Sequence, residues 1–173
     1  SVRLERLVSA LLSLARLDER DAPSGDGAVD LDDIVFEEAQ RLGHTTPLRI
    51  DVTGVSAGRV AGDASLLTQV IRNLVDNAQR HAATTIALTL AESGSSVVLG
   101  VEDDGPGIPA RDRLRVFERF VRLDEARARD DGGSGLGLAI VDTIVTAYGG
   151  TVVVSDSRLG GALLRVQLPR YVG

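Results

Sequence analysis

Two asparagines stand four residues apart in a segment that is otherwise strongly apolar. Asn73 and Asn77 would share one face of a helix. Asparagine is a poor helix former that prefers caps and turns, so a pair on one apolar helix needs a reason. Amide oxygens suit Mg²⁺, which takes few protein ligands and completes its shell with water and phosphate oxygens. The pair therefore predicts a magnesium site, with two exposed polar residues as the alternative.

An acidic, glycine-rich turn is the second candidate. Asp103 and Asp104 directly follow an apolar segment and precede Gly105 and Gly107. Glycine lets the main chain come close to a ligand. A carboxylate at a strand end can accept a hydrogen bond from an exocyclic amine, such as that of adenine. An ordinary β-turn is the alternative.

The third candidate is the glycine-rich run at residues 132–137, which opens a predicted helix. Exposed N–H groups and the positive end of the helix dipole form an anion site at such a position. The spacing differs from the dinucleotide fingerprint G-x-G-x-x-G, and no predicted strand directly precedes the run. A glycine hinge without a ligand is the alternative.

Composition excludes several classes of protein. The chain has no cysteine, so it has neither disulfides nor cysteine-bound metals. It has no lysine, which a Walker A phosphate loop requires. A net charge of -6 with scattered arginines argues against nucleic acid as a partner. No apolar run approaches the ~20 residues that span a bilayer. Because the chain starts at Ser1 and lacks methionine, we expect a fragment of a longer protein, and we expect that fragment to be soluble.

Periodicity and turn residues predict the elements that must position these clusters. The fold expected is an α/β two-layer sandwich, in which one mixed sheet packs on helices. Asp63 is the expected N-cap of the helix that carries the asparagines. Residues 104–134 are expected to be irregular apart from a short helix at 111–116, and such long loops are usually lids or binding segments. The predicted helices are 30–42, 64–81 and 136–148, and the predicted strands are 49–52, 85–90, 97–101, 151–154 and 163–168.

The first twenty residues form a separate unit in this prediction. Leu4, Leu7, Leu11 and Leu14 make an apolar stripe at helical spacing, which a single helix cannot bury. The stripe is expected to pack on a partner helix, and packing on its own domain is the alternative. Residues 21–28 are rich in turn formers and form the predicted linker to a domain at residues 29–173.

Together and in this order, four segments resemble the N, G1, F and G2 boxes of bacterial sensor histidine kinases, which belong to the same ATPase group as gyrase and MutL. The resemblance covers roughly residues 63–155, and the segment at 14–18 also resembles the end of the second helix of the family's dimerisation hairpin. It implies a Bergerat-type fold and a catalytic domain that binds ATP and Mg²⁺. The four segments are 73–77, 103–107, 117–120 and 133–137.

The resemblance also implies a role for each matched residue. Asn77 would coordinate Mg²⁺, Asn73 would support the phosphate–metal cluster, and Asp103 would bind the adenine amine. Arg80 would face the phosphates and His81 would pack beside the base. The remaining expected ATP-site residues are Gly105, Gly107, Ile108, Phe120, Gly133, Ser134, Gly135, Leu136 and Gly137.

A lid over the nucleotide is implied in the same way. Phe117 and Phe120 would anchor it, while Arg119 and Arg122 would reach the γ-phosphate and, with Asn73, serve catalysis. Asp76 and Asp104 have no implied role and are interpreted as exposed polar residues.

One departure from the family limits the expected activity. The family's phosphate acceptor is a histidine on the first hairpin helix, and His44 and His81 do not lie in such a setting. We therefore expect ATP binding with little or no autophosphorylation. The expected partners are a response-regulator receiver domain and a second subunit joined through the hairpin. The parent is expected to be anchored in the cell membrane, with this part in the cytoplasm.

Two alternative functions remain open at this stage. The first is an ATPase of the MutL or gyrase kind, which would hydrolyse ATP steadily without transferring phosphate to a hairpin. The second is a non-catalytic module that binds a nucleotide or a partner, which absence of nucleotide binding would favour.

Overall fold

The structure is a computed structural model. It describes residues 27–123 and 135–173 and seven positions near the start, namely 4, 5, 8, 9, 11, 12 and 15. These seven positions are helical, and the side chains of Leu4, Val8 and Leu11 are exposed. Leu7 and Leu14 of the predicted stripe lie outside the described residues. The expected partner helix stays a prediction.

A mixed five-stranded sheet is the centre of the fold, as predicted. The helices and strands of the described ranges are β1 (Ala28–Asp30), α1 (Leu31–Thr45), β2 (Arg49–Val55), β3 (Arg59–Ala61), α2 (Ala64–His81), β4 (Thr85–Ser93), β5 (Ser96–Asp103), α3 (Gly137–Ala147), β6 (Thr151–Asp156) and β7 (Ala162–Pro169). The strand order of the five-stranded sheet is β2-β4-β5-β7-β6, with β2 parallel to β4 and the other pairs antiparallel.

Helices cover one face of this sheet and enclose the core. Alternate residues of β4, β5 and β7 are buried on the covered face, as the two-residue period of a strand requires. The apolar stripe of α2 packs into the same core, and α2 also packs along α3. The buried stripe consists of Leu67, Val70, Ile71, Leu74, Val75 and Ala78. The predicted two-layer sandwich is therefore confirmed. Separately, none of the helices in the described ranges is long and apolar enough to cross a membrane.

A second, two-stranded sheet was not predicted. β1 pairs antiparallel with β3, and Arg59 Nε donates to Asp30 Oδ1 at 2.7 Å. Gly62 also donates its main-chain N–H to the carbonyl oxygen of Gly27 at 3.1 Å. Gly27 and Ala28, the last two residues of the predicted linker, take part in this sheet region, and the domain division stays a prediction. Strands of three residues are too short to give a recognisable alternation.

The short helix predicted at 111–116 is replaced by two 3₁₀ turns, Ala110–Asp112 and Arg115–Phe117. The N–H of Asp112 donates to the carbonyl oxygen of Pro109 at 2.9 Å, three residues earlier. A segment this short cannot offset the cost of nucleating an α-helix, so it takes the tighter form.

The N-cap of α2 is confirmed at Asp63. Its carboxylate accepts hydrogen bonds from the main-chain N–H groups of Ser65 at 2.8 Å and Leu66 at 3.1 Å. The main-chain N–H of Asp63 donates to the Tyr148 hydroxyl at 2.8 Å, which ties the start of α2 to the end of α3. The start of α2 is therefore held both by its own cap and by the residue directly after α3.

Replacing the cap tests how much it stabilises α2. Asp63→Ala is expected to lower the free energy of unfolding by about 1 kcal/mol, because two N–H groups of the first turn lose their acceptor. Asp63→Asn keeps an acceptor and is expected to retain most of that stability. Urea unfolding of the three proteins measures the difference, and an equal loss in both variants would contradict a capping role.

Candidate functional site

The two asparagines lie where α2 faces the start of α3. Asn77 is 6% exposed, and Asn73 donates from Nδ2 to the carbonyl oxygen of Gly137 at 3.3 Å. An added Cβ on Gly137 would lie 3.9 Å from the Asn73 side chain, so the two helices approach closely here. Arg80 is exposed on the same face of α2, one turn beyond Asn77. The amide face of α2 and the first turn of α3 therefore meet.

Asp103 is the last residue of β5 and is almost completely buried, with 1% of its surface exposed. Its Oδ1 accepts the main-chain N–H of Gly105 at 2.8 Å. Burial raises the pKa of the Asp103 carboxyl, and hydrogen bonds from the N–H groups of Gly105 and Ala162 only partly offset this. A buried acceptor of this kind gains from a further donor, such as an amine of a bound ligand.

The turn after Asp103 touches the end of α2. A Cβ added to Gly105 would overlap the main-chain carbonyl of His81, so only glycine permits this approach. Gly107 has a φ of 75°, which also favours glycine. The carbonyl oxygen of Ile108 accepts from Arg113 Nε at 3.1 Å. The helix that carries the asparagines therefore contacts both the Asp103 turn and the start of α3.

Asp104 is more than an exposed polar residue. Its carboxylate accepts the main-chain N–H groups of Ala83 and Thr84, each at 2.9 Å, and of Thr85 at 3.0 Å, together with the Thr84 hydroxyl. The hydrogen bonds from Thr84 and its neighbours lower the pKa of Asp104 well below its usual range. Asp104 thereby ties the connection between α2 and β4 to the end of β5, which holds His81 beside the Asp103 turn.

The turn between β6 and β7 also reaches Asp103, and sequence reasoning missed it. Gly161 donates its N–H to the carbonyl oxygen of Asp103 at 3.1 Å. An added Cβ there would lie 2.5 Å from that oxygen and 2.6 Å from the nitrogen of Gly105. The same turn is held by Ser157 Oγ and Arg158 Nε, which donate to the buried Glu102 at 2.7 and 2.8 Å. Two adjacent glycines between strands were the available signal, and they indicate only a hairpin.

The predicted lid residues are only partly described. Phe120 has a φ of 64° and donates its N–H to the carbonyl oxygen of Gly135 at 2.9 Å, so Phe120 and Val121 lie beside Gly135, two residues before α3. A side chain at φ above zero is uncommon outside glycine and often marks a functional site. Arg119 and Arg122 flank this contact in sequence. Gly133 and Ser134 lie outside the described residues.

Three predicted residues differ in how they can serve the site. Phe117 packs against the core, whereas the Phe120 residue is 57% exposed and contacts Gly135 through its main chain. Leu136 is completely buried and packs in the core. The structure thus places the Asp103 turn against the end of α2, and the start of α3 against Asn73 of the same helix.

The comparisons with known proteins agree with this arrangement. Residues 62–172 match the family described as histidine kinase-, DNA gyrase B-, and HSP90-like ATPases. Sensor protein RstB of Escherichia coli K12 is 41% identical over 98% of this chain, and the match covers 40% of RstB. The chain spans about two fifths of the length of the curated relatives it matches.

Solved structures share the fold. The mycobacterial sensor histidine kinase MprB is 30% identical, with a TM-score of 0.74 over 86% of this chain and 99% of that one. Full-length ShkA, solved in complex with AMPPNP, is 30% identical, with a TM-score of 0.83 over 98% of this chain and 36% of that one. Because the family match covers well over half of its length, the chain belongs to the histidine kinase-, DNA gyrase B- and HSP90-like ATPases.

Proposed function

We propose that the chain is the catalytic domain of a sensor histidine kinase, which binds ATP with Mg²⁺ and transfers the γ-phosphate to a histidine. The observation that carries the proposal is that one helix, α2, contacts both the buried Asp103 turn and the first residue of α3. In this proposal the Asp103 carboxylate and the two amides line one nucleotide-binding cleft. The relatives named as sensor kinases support this function over steady ATP hydrolysis.

Asp103 is the proposed adenine-binding residue. Its buried carboxylate would accept a hydrogen bond from the exocyclic amine of adenine. Bulk water reaches a buried carboxylate poorly, so this hydrogen bond would not simply replace one to water. Gly105 and Gly107 would leave room for the base, with His81 and Ile108 beside it. The description of ShkA as an AMPPNP complex supports an adenine nucleotide as the ligand.

Asn77 is the proposed Mg²⁺ ligand, and Asn73 would support it. A neutral, buried amide fits a metal that is held mainly by phosphate oxygens and water. Bound Mg²⁺ would neutralise charge on the transferring phosphoryl group, which is most of what this chemistry requires. Arg80, Arg119 and Arg122 would add positive charge near the phosphates.

The start of α3 is the proposed phosphate-binding element. Main-chain N–H groups at a helix N-terminus attract anions, and Asn73 lies against Gly137 there. Gly133, Ser134, Gly135 and Leu136 would contribute main-chain contacts ahead of the helix. The acceptor histidine would lie on a dimerisation hairpin whose second helix ends within residues 1–20, and a response-regulator receiver domain would take the phosphate onward.

The adenine contact is tested by thermal unfolding. ATP with Mg²⁺ is expected to raise the melting temperature, because a ligand that binds only the folded state stabilises it. Asp103→Ala is expected to remove most of this shift, since a hydrogen bond to a charged group is worth roughly 1.5–3 kcal/mol. Asp142→Ala, at an exposed position of α3, is the control and should keep the shift. A full shift in Asp103→Ala would rule out the assigned contact.

Gly161 offers a second test of the same pocket. Gly161→Ala is expected to raise the dissociation constant for ATP, because the added Cβ would press on the Asp103 carboxyl and on Gly105. Gly43→Ala is the matched control, since an added Cβ there meets nothing within 4 Å. Calorimetric titration compares the dissociation constants, and an unchanged constant in Gly161→Ala would contradict this geometry.

Phosphoryl transfer is tested with a separately supplied hairpin that carries the acceptor histidine. With ATP labelled at the γ-phosphate, we expect slow labelling of the hairpin. The supplied hairpin is not tethered to the chain, so it lacks the high effective concentration that a linker provides. Asn77→Ala should abolish it. Steady release of phosphate without labelling of the hairpin would instead favour an ATPase of the MutL or gyrase kind.

A further inference from the structure

A charged cluster joins α1 to the side of α2 next to the asparagines. Glu38 of α1 is 3% exposed and accepts hydrogen bonds from Arg72 Nη2 and from Arg41 Nε, each at 2.7 Å. Arg41 also donates from Nη2 to Asp76 Oδ1 at 2.7 Å. These four residues, the Glu38 cluster, therefore connect α1 to two positions one helical turn apart on α2.

The Glu38 carboxylate is stabilised in its charged form by the two arginines that contact it. Burial disfavours the Glu38 carboxylate, but hydrogen bonds from Arg72 and Arg41 outweigh it, so the pKa of Glu38 is lowered. Charge-assisted hydrogen bonds from guanidinium groups to a carboxylate are short and directional. They consequently constrain geometry in a way that apolar contacts do not, because the hydrophobic effect is non-directional.

The cluster lies directly beside the amide face. Arg72 and Asp76 each precede an asparagine, and successive residues of a helix are turned by about 100°. If α2 turned by about 20°, groups at the side-chain radius of about 5–6 Å would move by roughly 2 Å. Mg²⁺ demands near-ideal octahedral geometry, so a displacement of that size would remove an amide from its shell.

We infer that the Glu38 cluster positions the Asn73 and Asn77 amides for the Mg²⁺–phosphate group by fixing the rotation of α2 about its axis. This inference rests on the proposed function, since it assigns the cluster to the same metal site. Its members act through the asparagines and are positioning residues. Replacing groups that orient metal ligands typically changes metal affinity.

The test separates metal-dependent binding from general stability. For the full chain and each variant, calorimetry gives dissociation constants for ATP with Mg²⁺ and for ATP with a chelator, and their ratio is the Mg²⁺ enhancement. Asp76→Asn and Glu38→Gln are expected to lower the enhancement about tenfold. Their affinity for metal-free ATP should be unchanged, because the Asp103 turn is not altered.

Two variants are needed because they differ in their effect on folding. Glu38→Gln leaves two guanidinium groups against a buried neutral amide, which destabilises the protein. Asp76 has a side chain that is 40% exposed, so Asp76→Asn keeps the fold. The matched control is Asp30→Asn, which removes a surface ion pair with Arg59 and should leave both constants unchanged.

Each outcome decides between the alternatives. An enhancement that survives in Asp76→Asn overturns the inference while the proposed function stands. Equal weakening of binding with and without Mg²⁺ shows a merely structural role and also overturns it. If the unaltered chain binds ATP without any Mg²⁺ enhancement, the proposed metal site is wrong and the inference fails with it.

Discussion

The close approach of the Asp103 turn to the end of α2 is the constraint on which the rest of the site depends. Gly105 lies so near the main-chain carbonyl of His81 that no side chain fits between them. Gly161 lies similarly close to the carboxyl group of Asp103. The position of Asp103 relative to the amides of α2 is thus set by main-chain contacts. Main-chain contacts are less adjustable than side-chain contacts, so the fold itself fixes the separation between Asp103 and the amides of α2.

This arrangement has an energetic cost that the surrounding structure offsets. A carboxyl that is almost fully buried has a raised pKa, because its charged form is poorly solvated. The main-chain N–H of Gly105 and the hydrogen bonds that Asp104 accepts from the connection between α2 and β4 hold the Asp103 carboxyl in place despite that cost. Functional sites commonly retain such locally unfavourable features, which the rest of the fold stabilises.

Sequence reasoning recovered the five-stranded sheet and the helices that pack on it. It placed the N-cap at Asp63 correctly, and it singled out the asparagine-bearing helix and the Asp103 turn, which touch where Gly105 meets His81. It missed the small sheet of β1 and β3, and it interpreted Asp76 and Asp104 as plain surface residues. It could not find Gly161, because a glycine pair between strands indicates a turn whatever that turn contacts.

The sequence by itself determined features that depend on near neighbours: the apolar period of α2, its cap, and the glycines that open turns and helices. Only the tertiary structure decided which distant groups meet. Asp104 binds a main-chain N–H 21 residues away, and Glu38 binds an arginine 34 residues away. The physical reason is that periodicity and capping are local interactions along the chain. Hydrogen bonds between remote segments depend instead on how the whole sheet and its helices pack.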